Sequence, residues 1–256
     1  MPLTIPVGVS NRHFHLSQAD VEKLFGSTGL AGTGAGYQLT KLRDISQKGQ
    51  FAANETVDVI GPKGRLERVR VVGPARGQTQ LEISRTDAIA LGINPPVRYS
   101  GDLKGSAGAR LVGPKGEVEL HEGIIIPQRH IHMSPADAKK FGVKDRDRVI
   151  VTPLPKMLPA GSEDRGVIFD NVLIRVDPSF VLDFHLDTDE ANAAGLTNGD
   201  KVYITGHSKN VEASVKLITE NDVRRAILEK RRMKVPAGAK VTPAAAELAK
   251  SHKVFV

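Results

Sequence analysis

Apolar and polar positions alternate over short runs, and Gly/Pro clusters interrupt the runs before any grows long. Residues 3–9 are rich in Ile and Val and predict a strand running into Ser10. Ser17, with Asp20 three positions on, has the signature of a helix start, and Gly26 of its end. Residues 26–36 form a Gly-rich loop that matches neither a P-loop nor a dinucleotide fingerprint. Residues 37–51 predict a basic loop with Lys41, Arg43 and Lys48. Strands follow at 56–60 and 67–72 around a Gly-Pro-Lys-Gly turn, then at 80–84 beyond a second turn at 73–76. A short helix at 86–91 closes at Gly92, residues 94–106 read as a loop, and 109–112 with 118–120 form a hairpin. The pattern then restarts. Strands are predicted at 124–132, 148–152, 167–176, 181–186 and 201–205, with helices at 136–141 and 188–194 and an exposed loop at 153–166. Many short strands, Gly/Pro turns and helices of two turns predict a mainly β protein with short α-helices, built as compact β-barrels capped by helices.

One stretch occurs twice. Residues 11–17 read Asn-Arg-His-Phe-His-Leu-Ser, and residues 128–134 read Gln-Arg-His-Ile-His-Met-Ser. On a strand, His13 and His15 share a face, as do His130 and His132, at roughly 6.5–7 Å along the backbone. Imidazoles at that spacing can reach one metal at about 2.0–2.1 Å. On a helix they would point about 200° apart. The two halves correspond further. Residues 81–92 align with 184–195, which sets Glu82 opposite His185, and 69–72 align with 172–175. Each half therefore offers three donors, His13, His15 and Glu82 in one and His130, His132 and His185 in the other. Three protein ligands with an open fourth position is the usual arrangement of catalytic zinc. His121, His207 and His252 have no partner at metal spacing.

Composition narrows the chemistry. With 40% hydrophobic and 25% charged residues the chain is an ordinary globular protein. It has no cysteine, so any metal must use His, Asp or Glu. Only 4% of residues are aromatic, which speaks against base stacking and nucleic-acid binding. The net charge of +7 suits a phosphate-rich small molecule as well as it suits nucleic acid. No apolar run approaches membrane-spanning length, and the first residues lack the charged and apolar regions of a signal peptide, so a cytoplasmic enzyme with no membrane partner is expected. Residues 219–256 lie outside the repeat. Positions 221–233 predict a basic amphipathic helix, and Thr242-Pro243 opens another to about residue 250. This extension is either packed on a barrel or a neighbour, or a targeting and assembly element.

The motifs around His13 and His15, Gly49 to Ala53, Gly73 to Arg76, Thr79 to Ser84, Arg129 to Pro135 and His185 to Ala193 resemble the PduL-type phosphate acyltransferases, the propanediol-utilisation phosphotransacylases often housed in bacterial microcompartments. The resemblance covers about residues 5–206. It implies a first strand (1–11) that joins residues 128–218 in barrel 1, a central segment (12–127) forming barrel 2, and an extension at 219–256. It implies two zinc ions on the two donor sets and exchange of acyl-CoA plus phosphate with acyl phosphate plus coenzyme A, for a short acetyl or propanoyl chain. Arg76 matches the residue expected at phosphate. Ser10, Asn11, Lys41, Arg70, Val72 and Asn192 occupy positions similar to those around the coenzyme A site. A homo-oligomer, dimer or higher, is expected, with the tail as a route to microcompartment shell or cargo proteins. With no cysteine available for an acyl-enzyme, direct attack of phosphate on the thioester is the economical path. Two other readings stand beside it: a two-metal phosphoesterase, which the single carboxylate among six donors disfavours, and a non-catalytic polyanion-binding barrel protein.

Overall fold

The computed structural model describes residues 2–26, 36–156, 160–161, 163–208, 217–228, 232–235 and 239–255. Most of the Gly-rich stretch 26–36 and part of 153–166 lie outside the described residues. The chain divides into two units, Met1–His207 and Ser208–Val256.

The first unit contains β1 (Ile5–Ser10), β2 (His13–His15), α1 (Gln18–Phe25), β3 (Lys41–Asp44), β4 (Phe51–Ile60), β5 (Arg65–Gly73), β6 (Gln80–Glu82), α2 (Arg85–Leu91), β7 (Val97–Arg98), β8 (Ala107–Val112) and β9 (Glu117–Pro127). It continues with β10 (His130–Met133), α3 (Pro135–Phe141), β11 (Arg148–Pro153), β12 (Phe169–Val176), β13 (Asp183–Asp187), α4 (Thr188–Ala194) and β14 (Lys201–His207). Barrel 1 closes in the order β1-β13-β10-β12-β11-β14. Barrel 2 closes as β4-β5-β2-β6-β9-β8, because β8 pairs with both β4 and β9.

The barrels share one plan. Around barrel 2, starting at the β5–β2 pair, pairing runs parallel, antiparallel, parallel, then three times antiparallel. Barrel 1 repeats that order from its β12–β10 pair. In this correspondence β1 matches β9. Each leads directly into a His-x-His strand yet completes the other barrel, so the repeats exchange their leading strands. That exchange divides the expected single strand at 124–132. β9 ends at Pro127 in barrel 2, and β10 begins at His130 in barrel 1.

Alternation fills each barrel with its own core. Phe14, Leu24, Val57, Leu81, Leu111 and Ile124 pack in barrel 2. Ile5, Ile131, Val149, Phe184 and Val202 pack in barrel 1. Phe14 and Phe184 are fully buried, and such burial stabilises by roughly 1.5–3 kcal/mol per side chain. The expected basic loop at 37–51 contains a strand, β3, paired with the edge of β4. All four of its residues are exposed, so no buried alternation announces it.

The second unit has its own small core of Ile218, Val223, Ala226, Met233, Ala245, Ala249 and Val254. It holds a parallel pair, β15 (Leu217–Ile218) with β16 (Lys240–Val241), and two helices, α5 (Glu220–Leu228) and α6 (Pro243–Ser251). Thr242 caps α6 by accepting from the Ala245 amide, as the Thr-Pro pair predicts. The helix predicted to reach 233 is described only to Leu228, and residues 229–231 lie outside the described residues. No helix among the described residues is long and apolar enough to cross a membrane.

Candidate active site

One local pattern places four of the six proposed donors. Phe14-His15-Leu16-Ser17, Leu81-Glu82-Ile83-Ser84, Ile131-His132-Met133-Ser134 and Phe184-His185-Leu186-Asp187 each read apolar, donor, apolar, helix cap. All eight apolar residues are at most 2% exposed, anchored in a barrel core. Strand alternation then turns each donor to the outer face of its barrel. The cap stops the strand and starts a helix at once. Ser84, Ser134 and Asp187 form reciprocal capping boxes with Asp87, Asp137 and Glu190, and Ser17 accepts from the Asp20 amide.

Register completes the sets. His13 lies opposite Glu82 across β2 and β6, and His130 lies opposite His185 across β10 and β13. In each set the donor atoms lie within 4.8 Å of one another. The His13 Nδ1–H donates to the Asn11 carbonyl, and the His130 Nδ1–H to the Gln128 carbonyl, both at 2.8 Å. That leaves Nε2 of each ring free. His185 donates through Nε2 to Asp183 Oδ2 at 2.9 Å, which frees its Nδ1. Gln80 donates to Glu82 Oε1 at 2.6 Å and leaves the other carboxylate oxygen, which stands 3.7 Å from His13 Nε2. Gly8 makes room for Asp183: a Cβ there would sit 2.5 Å from the Asp183 carboxylate.

The arginine before each histidine pair has a different task. Arg12 pairs with Asp87, and Arg129 with Glu190 at 2.6 Å. Both acids are also the capping-box residues of the helix after the third donor. Each arginine thus ties the His-x-His strand to the strand that carries the remaining ligand. A further tie joins the barrels, where the Thr86 amide donates to Asp189 at 2.8 Å.

Burial keeps His15, His130 and His132 neutral. It drives His15 down to about 2, with the charges of His13 and then Arg76 adding to it. His130 falls to about 3, from burial and then the charge of His185. His132 is also strongly lowered, by burial first and then by His130, His185 and Arg175. A neutral imidazole keeps a lone pair. His15 Nδ1 and both ring nitrogens of His132 are buried without a hydrogen-bond partner. Such orphaned groups are costly unless a ligand uses them. Orphaned neutral nitrogens, three converging donors per set, and outer partners that orient the rings fit a divalent metal such as zinc.

Both sets line one cavity of about 950 Å³. Of the other expected site residues, Ser10, Asn11, Arg70, Val72 and Arg76 line it as well. Lys41 and Asn192 do not: Lys41 is exposed on β3 and pairs with Asp44 at 2.6 Å, and Asn192 is exposed on α4. Arg70 donates to the Ala53 carbonyl at 3.0 Å and the Asn54 carbonyl at 2.9 Å. Burial lowers the Arg76 guanidinium from its ordinary value, Glu82 opposes this, and Arg175 adds to it.

Four residues around the donors went unread in the sequence. Gln80 and Asp183 hold the third donors, and Arg175 and Phe180 line the cavity. The repeat alignment carried a signal for the first two, since Gln80 aligns with Asp183 two positions before Glu82 and His185. Phe180 stacks on the His132 ring at 4.0 Å between centroids.

The chain matches the family model described as phosphate propanoyltransferase over residues 6–197. It is 55% identical over 200 residues to the phosphate propanoyltransferase of Thermotoga maritima, covering 78% of this chain and 88% of that protein. The corresponding protein of Lachnoclostridium phytofermentans is 52% identical, with 78% and 86% covered. That of Salmonella typhimurium is 50% identical, with 76% and 85% covered.

Proposed function

The chain belongs to the phosphate propanoyltransferase family, and from that premise we propose a zinc-dependent exchange of short acyl-CoA and phosphate with acyl phosphate and coenzyme A. It is an acyltransferase. The observation that carries the finer reading is the shared cavity, in which two three-donor sets and Arg76 converge. His13, His15 and Glu82 would hold one metal, and His130, His132 and His185 the other. Bound there, the metals would supply Lewis acidity and affinity for a thiolate.

The side chains do the rest. Arg76 offers a planar fork for two phosphate oxygens and offsets their charge. A phosphate held there is oriented toward the thioester carbonyl, and that proximity favours direct attack. A phosphate oxygen bonds to the carbonyl carbon, the C–S bond breaks with its electron pair on sulfur, and acyl phosphate and the coenzyme A thiolate leave. No cysteine is available to interpose an acyl-enzyme. Ser10, Asn11 and Arg70, with the apolar Val72 among them, form a wall suited to coenzyme A, and we assign Lys41 and Asn192 to its charged nucleotide end.

Zinc-loaded protein given propanoyl-CoA or acetyl-CoA should release coenzyme A only when phosphate is present, and should form acyl phosphate. Chelation should stop this and zinc restore it. Phosphate-independent release, or hydrolysis of phosphate esters in its place, overturns the assignment. Residues 219–256 lie beyond the family match, and we assign them to assembly of a homo-oligomer or to packaging in a microcompartment. A chain ending at residue 218 should keep its turnover and change its sedimentation or cellular location.

A further inference from the structure

Arg175 is a half-buried cavity residue whose charge is unaccounted for. It stands on β12 in register with His132. It lines the large cavity together with Arg76, and also a smaller neighbouring pocket of about 240 Å³. Its guanidinium lies over the Phe180 ring at 5.4 Å, and that ring stacks on His132. That contact holds the guanidinium beside the ring without using its N–H donors. Arg175 has no hydrogen-bond or ion-pair partner among the described residues. The charges of Glu82, Asp145 and Asp177 reach it, from beyond ion-pair distance. Arg76 is little better engaged, since its side chain donates to Gln50 Oε1 at 3.4 Å.

Two under-used guanidiniums thus enter one cavity, Arg76 from barrel 2 and Arg175 from barrel 1. Their like charges oppose each other at a partly desolvated site. An anion between them attracts both, offsets that repulsion and uses the free donors of both. The repeat sharpens the point. Val72 occupies in barrel 2 the place that Arg175 holds in barrel 1, and Arg70 the place of Leu173, but Arg70 already donates to the Ala53 and Asn54 carbonyls whereas Arg175 is unengaged among the described residues.

We propose that Arg175 is a second phosphate-binding residue, gripping the phosphoryl group of phosphate or acyl phosphate jointly with Arg76 from the opposite barrel. This rests on the phosphotransacylase reading. The diphosphate of coenzyme A presents the same chemistry, and the test separates the two sources.

Binding of inorganic phosphate alone and of coenzyme A alone is measured by calorimetry on the full-length, zinc-loaded protein, alongside KM for each substrate. Arg175→Met keeps most of the stem over Phe180 and removes the donors. It should weaken phosphate binding and raise the phosphate KM by about tenfold or more, the range of one or two charge-assisted hydrogen bonds. Coenzyme A binding should stay within about twofold. Arg175→Lys keeps the charge without the fork and should fall between Met and wild type. Loss of coenzyme A binding with phosphate binding intact assigns Arg175 to the diphosphate and overturns the proposal. So does equal weakening of both ligands, or a fall in kcat with phosphate affinity unmoved. Wild-type protein that binds phosphate but releases no coenzyme A refutes the activity instead, and the binding comparison between wild type and Arg175→Met still decides the role of Arg175.

Discussion

The two donor sets differ in where they keep their carboxylate. In barrel 2 it is Glu82, among the donors, with the neutral Gln80 amide behind it. In barrel 1 it is Asp183, behind His185, and the three donors are imidazoles. Each set thus has one acid, displaced outward by one contact in the second. A carboxylate that touches the metal neutralises its charge directly. One that holds the N–H of a ligating imidazole raises the ring's basicity and fixes its tautomer. The scaffolds are otherwise matched, with the same apolar–donor–apolar–cap tetrads, register and arginine ties. Arg175 in place of Val72, and Leu173 in place of Arg70, then move the strand arginine from the register of the first histidine to that of the second. The repeat has kept its frame and varied its chemistry, which suits two ions with unequal tasks.

The comparison breaks first at the donors. His132→Ala should cut coenzyme A release by more than the ~100-fold typical of losing an outer partner, while circular dichroism stays that of the folded chain. Retained turnover would detach the barrel 1 set from the chemistry. Asp183→Asn comes next and should cost about 10–100-fold in metal affinity, read by competition with a chelator. Gln80→Ala should cost less than Asp183→Asn, because it removes a neutral donor from a carboxylate that can still ligate. If Gln80→Ala proves the costlier, the acid has been assigned to the wrong level in one barrel.

Acid stability sharpens the contrast further. His15, His130 and His132 are held neutral in the folded chain and take up protons when it unfolds. With folded values depressed below the ordinary value near 6.5, their contribution is present above that pH and is lost as pH falls below it. Metal-free protein should therefore lose stability on acidification below about 6.5, with a slope on the order of 1.4 kcal/mol per pH unit for each such group. Barrel 1 has two of these histidines and barrel 2 one; His132→Leu removes one of them and should flatten the urea-midpoint profile against pH, whereas Arg129→Ala removes none and should leave the slope as it is. A pH-independent midpoint between 4 and 6.5 counts against neutral buried rings. The smallest effects belong to the shared frame. Ser84→Ala and Ser134→Ala should each cost about 1 kcal/mol in urea unfolding, nearly alike, because the two caps make the same bonds.

Much of this was legible along the chain. Both histidine pairs, the third donors and the helices after them follow from local spacing and from a repeat that reads directly in the residues. Edge strands were not legible. β3 is exposed along its length, so it presents no alternation, and the stretch reads as a basic loop. The division between β9 and β10 was not legible in the apolar pattern, because continuous apolar character at 124–126 and 131 reads as one strand; only the family resemblance implied a change of barrel after residue 127. Arg175 was hidden too, since an arginine in a strand reads as a solvated face until its neighbours are known.

By itself the sequence determined what depends on near neighbours: strand alternation, helix caps, the spacing of imidazoles and the six residues we propose as metal donors. These arise from backbone geometry over a few residues, and a repeat doubles their visibility. Tertiary structure alone decided what depends on distant strands meeting. It exchanged β1 and β9 between barrels, set Glu82 and His185 in register with the histidine pairs, brought both sets and two arginines to one cavity, and left Lys41 and Asn192 out of its lining. Pairing partners and cavity walls are properties of the closed barrels, and no local pattern encodes them.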